Sequence, residues 1–114
     1  MQVAVIDYGM GNIWSVISAC NYLGAETILM SDPHKASNAD CLILPGVGSF
    51  RKAMETLRIN AMDQAILNAV KNRGAKILGI CLGMQLLGSV GTEDGKTEGL
   101  GLVANRSDKL IKTD

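Results

Sequence analysis

The chain opens on an unbroken apolar run, Val3-Ala4-Val5-Ile6, with no polar residue alternating into it. Such a run fits a strand covered on both faces. After the loop Asp7-Tyr8-Gly9-Met10-Gly11-Asn12 the period changes. Ile13, Val16, Ile17, Cys20 and Leu23 recur at helical spacing, and Gly24 supplies a stop. Thr27 to Met30 reads as a second strand. Ser31-Asp32-Pro33 reads as a cap with proline at the first helical position, which predicts a short helix. Cys41 to Leu44 reads as a third strand, broken by Pro45-Gly46-Val47-Gly48, and Ser49 is placed to cap a helix. Ala53, Met54 and Leu57 form one apolar face. Asn60 is expected to cap a further helix that turns Met62, Ile66, Ala69 and Val70 inward and ends at Gly74. Lys76 to Ile80 is the fourth strand, and Leu82 to Leu87 begins the next helix.

Strand and helix alternate throughout this stretch. The expected fold is α/β, an open parallel sheet with helices on both faces. After Gly88 the alternation stops. Leu100, Leu102, Leu110 and Ile111 suggest one or two weak strands, and the chain reaches Asp114 without another strand-helix unit.

At 114 residues the chain fits a single domain, and 47% hydrophobic content supplies a core. Eleven basic residues balance eleven acidic ones with no basic run, so nucleic-acid binding gains no support. No apolar run reaches the roughly 20 residues of a membrane span. No charged leader precedes the first strand, so a signal peptide is not expected. The three cysteines, Cys20, Cys41 and Cys81, have neither disulfide nor zinc spacing, and a cytoplasmic location fits them.

Ligands of parallel α/β sheets bind beyond the carboxyl ends of the strands. The glycine-bearing loops after the first, third and fourth strands all lie there. The last holds the run Gly79-Ile80-Cys81-Leu82-Gly83, a strand-to-helix junction with glycines at minus two and plus two. This is the layout of a nucleophile elbow with cysteine in the nucleophile's place. The glycines are expected to permit a sharp turn and close approach of a substrate. A helix N-terminus favours the thiolate, the reactive form. The Leu82 N–H is placed to meet an oxyanion, and the Pro45-to-Gly48 loop can offer a second donor. The pattern suits acyl transfer through a thioester.

Other residues invite blander readings. Cys20 and Cys41 lie in apolar patterns and read as small buried hydrophobes. His34, the only histidine, reads as an exposed or capping residue. The Gly9/Gly11 loop lacks the third glycine of a dinucleotide fingerprint, and position 14 holds Trp14, although Asp32 could stand in as its acidic residue.

Together, Asp7-Tyr8-Gly9-Met10-Gly11-Asn12, Leu44-Pro45-Gly46-Val47-Gly48 and Gly79 to Leu87 resemble the class I glutamine amidotransferases, most nearly the glutaminases that serve imidazole glycerol phosphate synthases. The resemblance runs from Met1 to about Val103. It implies that residues 1–114 are the N-terminal part of one amidotransferase domain with a flavodoxin-like half-sheet. It implies that Cys81 attacks the side-chain amide of glutamine, forming a γ-glutamyl thioester and releasing ammonia. Val47 and Leu82 would give the oxyanion N–H groups. Gly46, Gly48, Gln85 and Glu93 would contact glutamine, and Asn12 would lie near a partner subunit. That partner would be a (β/α)8-barrel cyclase of histidine biosynthesis that receives the ammonia; an acceptor in surface-polysaccharide sugar amidation is the alternative, and a non-catalytic interaction module of the same fold is another. No cofactor and no metal are implied. The histidine and glutamate that complete the family's triad lie well beyond the nucleophile, and no histidine follows Cys81. This chain alone is therefore expected to turn over little glutamine and to self-associate through an unpaired sheet edge.

Overall fold

A computed structural model describes residues 2–88, 90, 91, 97–102, 106 and 107. Four strands form one parallel sheet in the order β2-β1-β3-β4, with β1 Gln2–Ile6, β2 Glu26–Met30, β3 Cys41–Leu44 and β4 Lys76–Gly79. Val5 pairs with Leu29 and Ile43, and Ile43 with Leu78, so alternate residues of all four strands share a face.

Ala4, Ile6, Leu42 and Leu44 point to one face. They pack with Ala36 of α2 (Pro33–Ser37), with Phe50, Met54 and Leu57 of α3 (Phe50–Ile59), with Met62 and Ile66 of α4 (Met62–Leu67), and with Leu82 and Leu86 of α5 (Leu82–Leu86). Val3, Val5 and Ile43 point to the other face and meet Ile13, Val16, Ile17 and Cys20 of α1 (Ile13–Tyr22). Helices thus lie on both faces of an open parallel sheet, as expected. The two covers are unequal: α1 has no buried residue, whereas Phe50, Leu57, Met62 and Leu86 are at most 1% exposed.

Several helix ends follow the expected caps. The Ser49 hydroxyl accepts the Lys52 N–H at 3.3 Å, and the Asp32 carboxylate accepts the His34 N–H at 2.9 Å. One expectation fails. Asn60 does not cap α4; it closes α3, and Ala61 takes the N-cap of α4 in the left-handed region at φ 58 with no side-chain cap bond. The α3–α4 turn is too tight to leave a separate capping residue for each helix. Beyond Leu67 the helix widens into a π-helical segment, Asn68–Asn72. Ala69 there is buried and Val70 half-buried, so the inward face is as expected.

The last described strands are β5 Val90–Gly91, β6 Thr97–Glu98 and β7 Arg106–Ser107, in the order β6-β5-β7. The expected strand positions at Leu100 and Leu102 are therefore wrong. Instead, the N–H groups of Leu100, Gly101 and Leu102 donate to the carbonyls of Leu86, Gly88 and Leu87 at 2.8–2.9 Å. This strap satisfies carbonyls at the end of α5 that the helix cannot pair itself, and Leu100 is buried beneath it. Leu110 and Ile111 lie outside the described residues.

Candidate active site

The loops leaving β1, β3 and β4 meet in backbone contact at the carboxyl end of the sheet. The Ile80 N–H donates to the Leu44 carbonyl at 3.0 Å, which carries the β3–β4 pairing one residue beyond the strand. The chain then turns at Cys81, whose φ is 55 and ψ −125. Only glycine adopts such a conformation freely, and holding another residue there costs about 1–3 kcal/mol. Cys81 is exposed and stands at the N-cap of the five-residue α5, with the Met84 N–H donating to its carbonyl at 3.0 Å.

The positive φ of the turn falls on the cysteine itself. The two flanking glycines have another task, close contact. A Cβ on Gly83 would lie 1.8 Å from the Leu44 carbonyl oxygen, and one on Gly79 would lie 2.6 Å from the Gly83 oxygen. Neither position admits a side chain unless strand and helix separate. The elbow is pressed against β3 on one side and folded tightly on itself on the other.

The β3 loop lies directly against this turn. Gly46 is buried, and a Cβ there would lie 2.8 Å from the Tyr8 hydroxyl and 3.1 Å from the Gly83 nitrogen. The Gly46 carbonyl accepts the Leu82 N–H at 3.1 Å. That carbonyl and the Val47 N–H belong to one trans peptide and point in opposite directions. Leu82 therefore spends its N–H on the loop, and the Val47 N–H is turned away from it. Val47 and Gly48 are exposed, Gly48 at φ 90.

Gln85 is exposed on α5, one turn after Cys81. Asn12 is exposed at the N-cap of α1, where its side-chain oxygen accepts the Ser15 N–H at 3.2 Å. Glu93 lies outside the described residues. His34 is exposed and sits in the first turn of α2, beyond β2. β2 and β4 form opposite edges of the sheet, three strand spacings apart, or roughly 14 Å. His34 is therefore out of reach of Cys81. Asp32 is engaged as the cap of α2, which removes the residue that kept a dinucleotide reading open. An open groove of about 540 Å³ lies between α2 and the sheet, lined by Ile28, Lys35, Asn38 and Lys76 among others; it does not include Cys81.

Sequence reasoning passed over Tyr8. Its side chain is 5% exposed, and its hydroxyl donates to the Pro45 carbonyl at 2.7 Å. Burial raises the phenol's pKa well above the ordinary tyrosine value, so it remains a donor at any physiological pH. The available signal was an aromatic residue inside a loop of small residues that ends beside another glycine loop.

Comparison with known proteins agrees with this geometry. Residues 2–109 match the model of the CobB/CobQ-like glutamine amidotransferase domain. The imidazole glycerol phosphate synthase subunit HisH of Geobacillus sp. (strain WCH70) is 51% identical over 105 residues, which are 92% of this chain and 49% of that protein. The subunit of the same name from Bacillus subtilis (strain 168) is 44% identical over 113 residues, 99% of this chain and 53% of that protein. A solved glutamine amidotransferase structure superposes with a TM-score of 0.79 at 19% identity, covering 93% of this chain and 55% of that one, and so shares the fold. The chain spans about half the length of the curated relatives it matches. With the strained cysteine, the loop packed against it and a family model that matches nearly every residue, the chain belongs to the glutamine amidotransferase family.

Proposed function

We propose that this chain carries the nucleophilic half of a glutaminase that supplies ammonia for imidazole glycerol phosphate formation in histidine biosynthesis. The observation that carries the reading is Cys81, exposed at φ 55 and set against the Gly46–Val47 peptide. The curated relatives, named as synthase subunits, favour this acceptor over sugar amidation.

The Cys81 thiolate attacks the side-chain carbonyl carbon of glutamine. A C–S bond forms, and the carbonyl electrons move onto oxygen. Collapse breaks the C–N bond, the nitrogen takes a proton and leaves as ammonia, and water hydrolyses the thioester to glutamate. The oxyanion needs donors. Rotation of the Gly46–Val47 peptide would withdraw the Gly46 carbonyl from Leu82 and turn the Val47 N–H inward, so one movement frees one donor and delivers another. Gly48 continues this loop, Gln85 stands on the adjoining helix to contact glutamine, and Glu93 is assigned to its amino group by resemblance alone.

Proton transfer needs a base, and the only histidine, His34, sits at the far edge of the sheet. The base therefore comes from outside residues 1–114, and these residues alone should hydrolyse glutamine barely above background. The partner that takes the ammonia is a (β/α)8-barrel cyclase, with Asn12, exposed on the β1 loop, near its contact surface.

A chloromethyl ketone analogue of glutamine tests the site directly. The Cys81 sulfur should displace chloride and form a thioether in preference to Cys20 and Cys41, read by peptide mass mapping. Labelling spread evenly over the three cysteines would overturn the proposal.

A further inference from the structure

Tyr8 ties the first loop of the sheet to the loop that faces the nucleophile. Its hydroxyl donates to the Pro45 carbonyl at 2.7 Å in a buried setting, across 37 residues of sequence. The two loops also touch through their backbones: a Cβ on Gly11 would lie 3.1 Å from the Gly46 nitrogen and 3.2 Å from the Pro45 Cβ. The Pro45 carbonyl belongs to the peptide immediately before the one that must turn. We propose that Tyr8 is a positioning residue that fixes the Pro45–Gly46 peptide, so that rotation is confined to the Gly46–Val47 peptide and leaves the Val47 N–H aimed at the reacting carbonyl. This rests on the glutaminase reading above and adds to it a residue that touches neither substrate nor nucleophile.

The physical case is one of constraint. Gly46 lacks a side chain, so nothing of its own limits the torsions on either side of it. Without an anchor at the Pro45 carbonyl, both peptides of the loop can swing, and the inward-facing state becomes one of several. With the anchor in place, the hinge has a fixed end. Proline contributes too, because its ring restricts φ at residue 45. The phenol suits the task, since its rigid ring spans the gap and burial keeps its proton in place.

The test is the rate of Cys81 alkylation by the same chloromethyl ketone, as a function of its concentration, in the unsubstituted chain and in Tyr8→Phe. We expect the maximal rate of Tyr8→Phe to fall about five- to tenfold, as follows from losing one hydrogen bond of ordinary strength, with an unchanged half-saturating concentration. Amide hydrogen exchange should quicken at Gly46 and Val47 while the amides of β1 and β3 exchange as before. Equal maximal rates in the two proteins overturn the proposal. So does a loss accompanied by faster exchange throughout β1 and β3, because that is general loosening. Should the variant fail to fold, the unsubstituted chain still decides: the Tyr8 hydroxyl proton must be protected from solvent exchange in its NMR spectrum, and an unprotected proton overturns the anchor. Failure of the unsubstituted chain to label at Cys81 instead removes the glutaminase reading beneath it.

Discussion

Cys81 occupies a conformation in which glycine would be more comfortable, and that discomfort is measurable. Replacing it with glycine removes the Cβ that makes φ 55 costly, while adding some backbone freedom to the unfolded chain. The strain of about 1–3 kcal/mol outweighs an entropy cost of about 0.5–1 kcal/mol. Cys81→Gly is therefore expected to unfold in urea at a higher midpoint, with a net gain of about 1 kcal/mol, while losing all labelling by a glutamine analogue. A variant no more stable than the parent would show that the elbow stores no strain. Alanine at Gly83 should act in the opposite direction. Its Cβ would fall 1.8 Å from a backbone oxygen that cannot move without breaking the pairing of β3 with β4. Overpacking of this kind costs about 1–3 kcal/mol or more, and urea denaturation of Gly83→Ala should show a loss at the upper end.

At the scale of elements, the α3–α4 junction offers a cleaner case. Ala61 sits at φ 58 without a side-chain cap, so glycine there should stabilise the chain by about 0.5–1 kcal/mol. Thermal unfolding of Ala61→Gly with an unchanged or lower midpoint would contradict this. The junction also shows what the sequence could and could not tell. Strands with apolar runs, such as Val3 to Ile6, and helices with a clear apolar stripe and a cap, such as α3 behind Ser49, were legible because local pattern and tertiary burial agree there. Asn60 was misread because asparagine suits both ends of a helix, and only the path of the chain decides which end it serves. Leu100 and Leu102 were misread because a half-buried strap with apolar residues two apart has the period of a strand. In the candidate site, the cysteine and its loops were visible as motifs. The Tyr8 bond to Pro45 was not, because it joins residues whose proximity depends on β1 and β3 being neighbours.

For the whole molecule, the unequal covering of the sheet matters most. The face that carries α2, α3, α4 and α5 is closed, while the face under α1 leaves Leu29 41% and Leu78 58% exposed. Trp14, Tyr22 and Leu23 of the α1 region are exposed as well. Among the described residues β4 pairs with β3 alone, so its outer edge presents unpaired backbone groups beside Leu78. An apolar edge of this kind invites pairing with another chain. Sedimentation velocity should show association that grows with concentration, and Leu78→Lys should suppress it. A single monomeric species of the unsubstituted chain across a hundredfold concentration range would refute the expectation.

The strap from Leu100 to Leu102 has a consequence in time. A helix of five residues does not persist unaided, and α5 is held at its far end by bonds that residues 100–102 supply. During synthesis the four strands can therefore pair while the cysteine still lacks a settled orientation. The reactive thiol becomes fixed only after a segment some twenty residues later has emerged and docked, so a nascent chain passes through a stage in which its sheet is formed and its nucleophile is not.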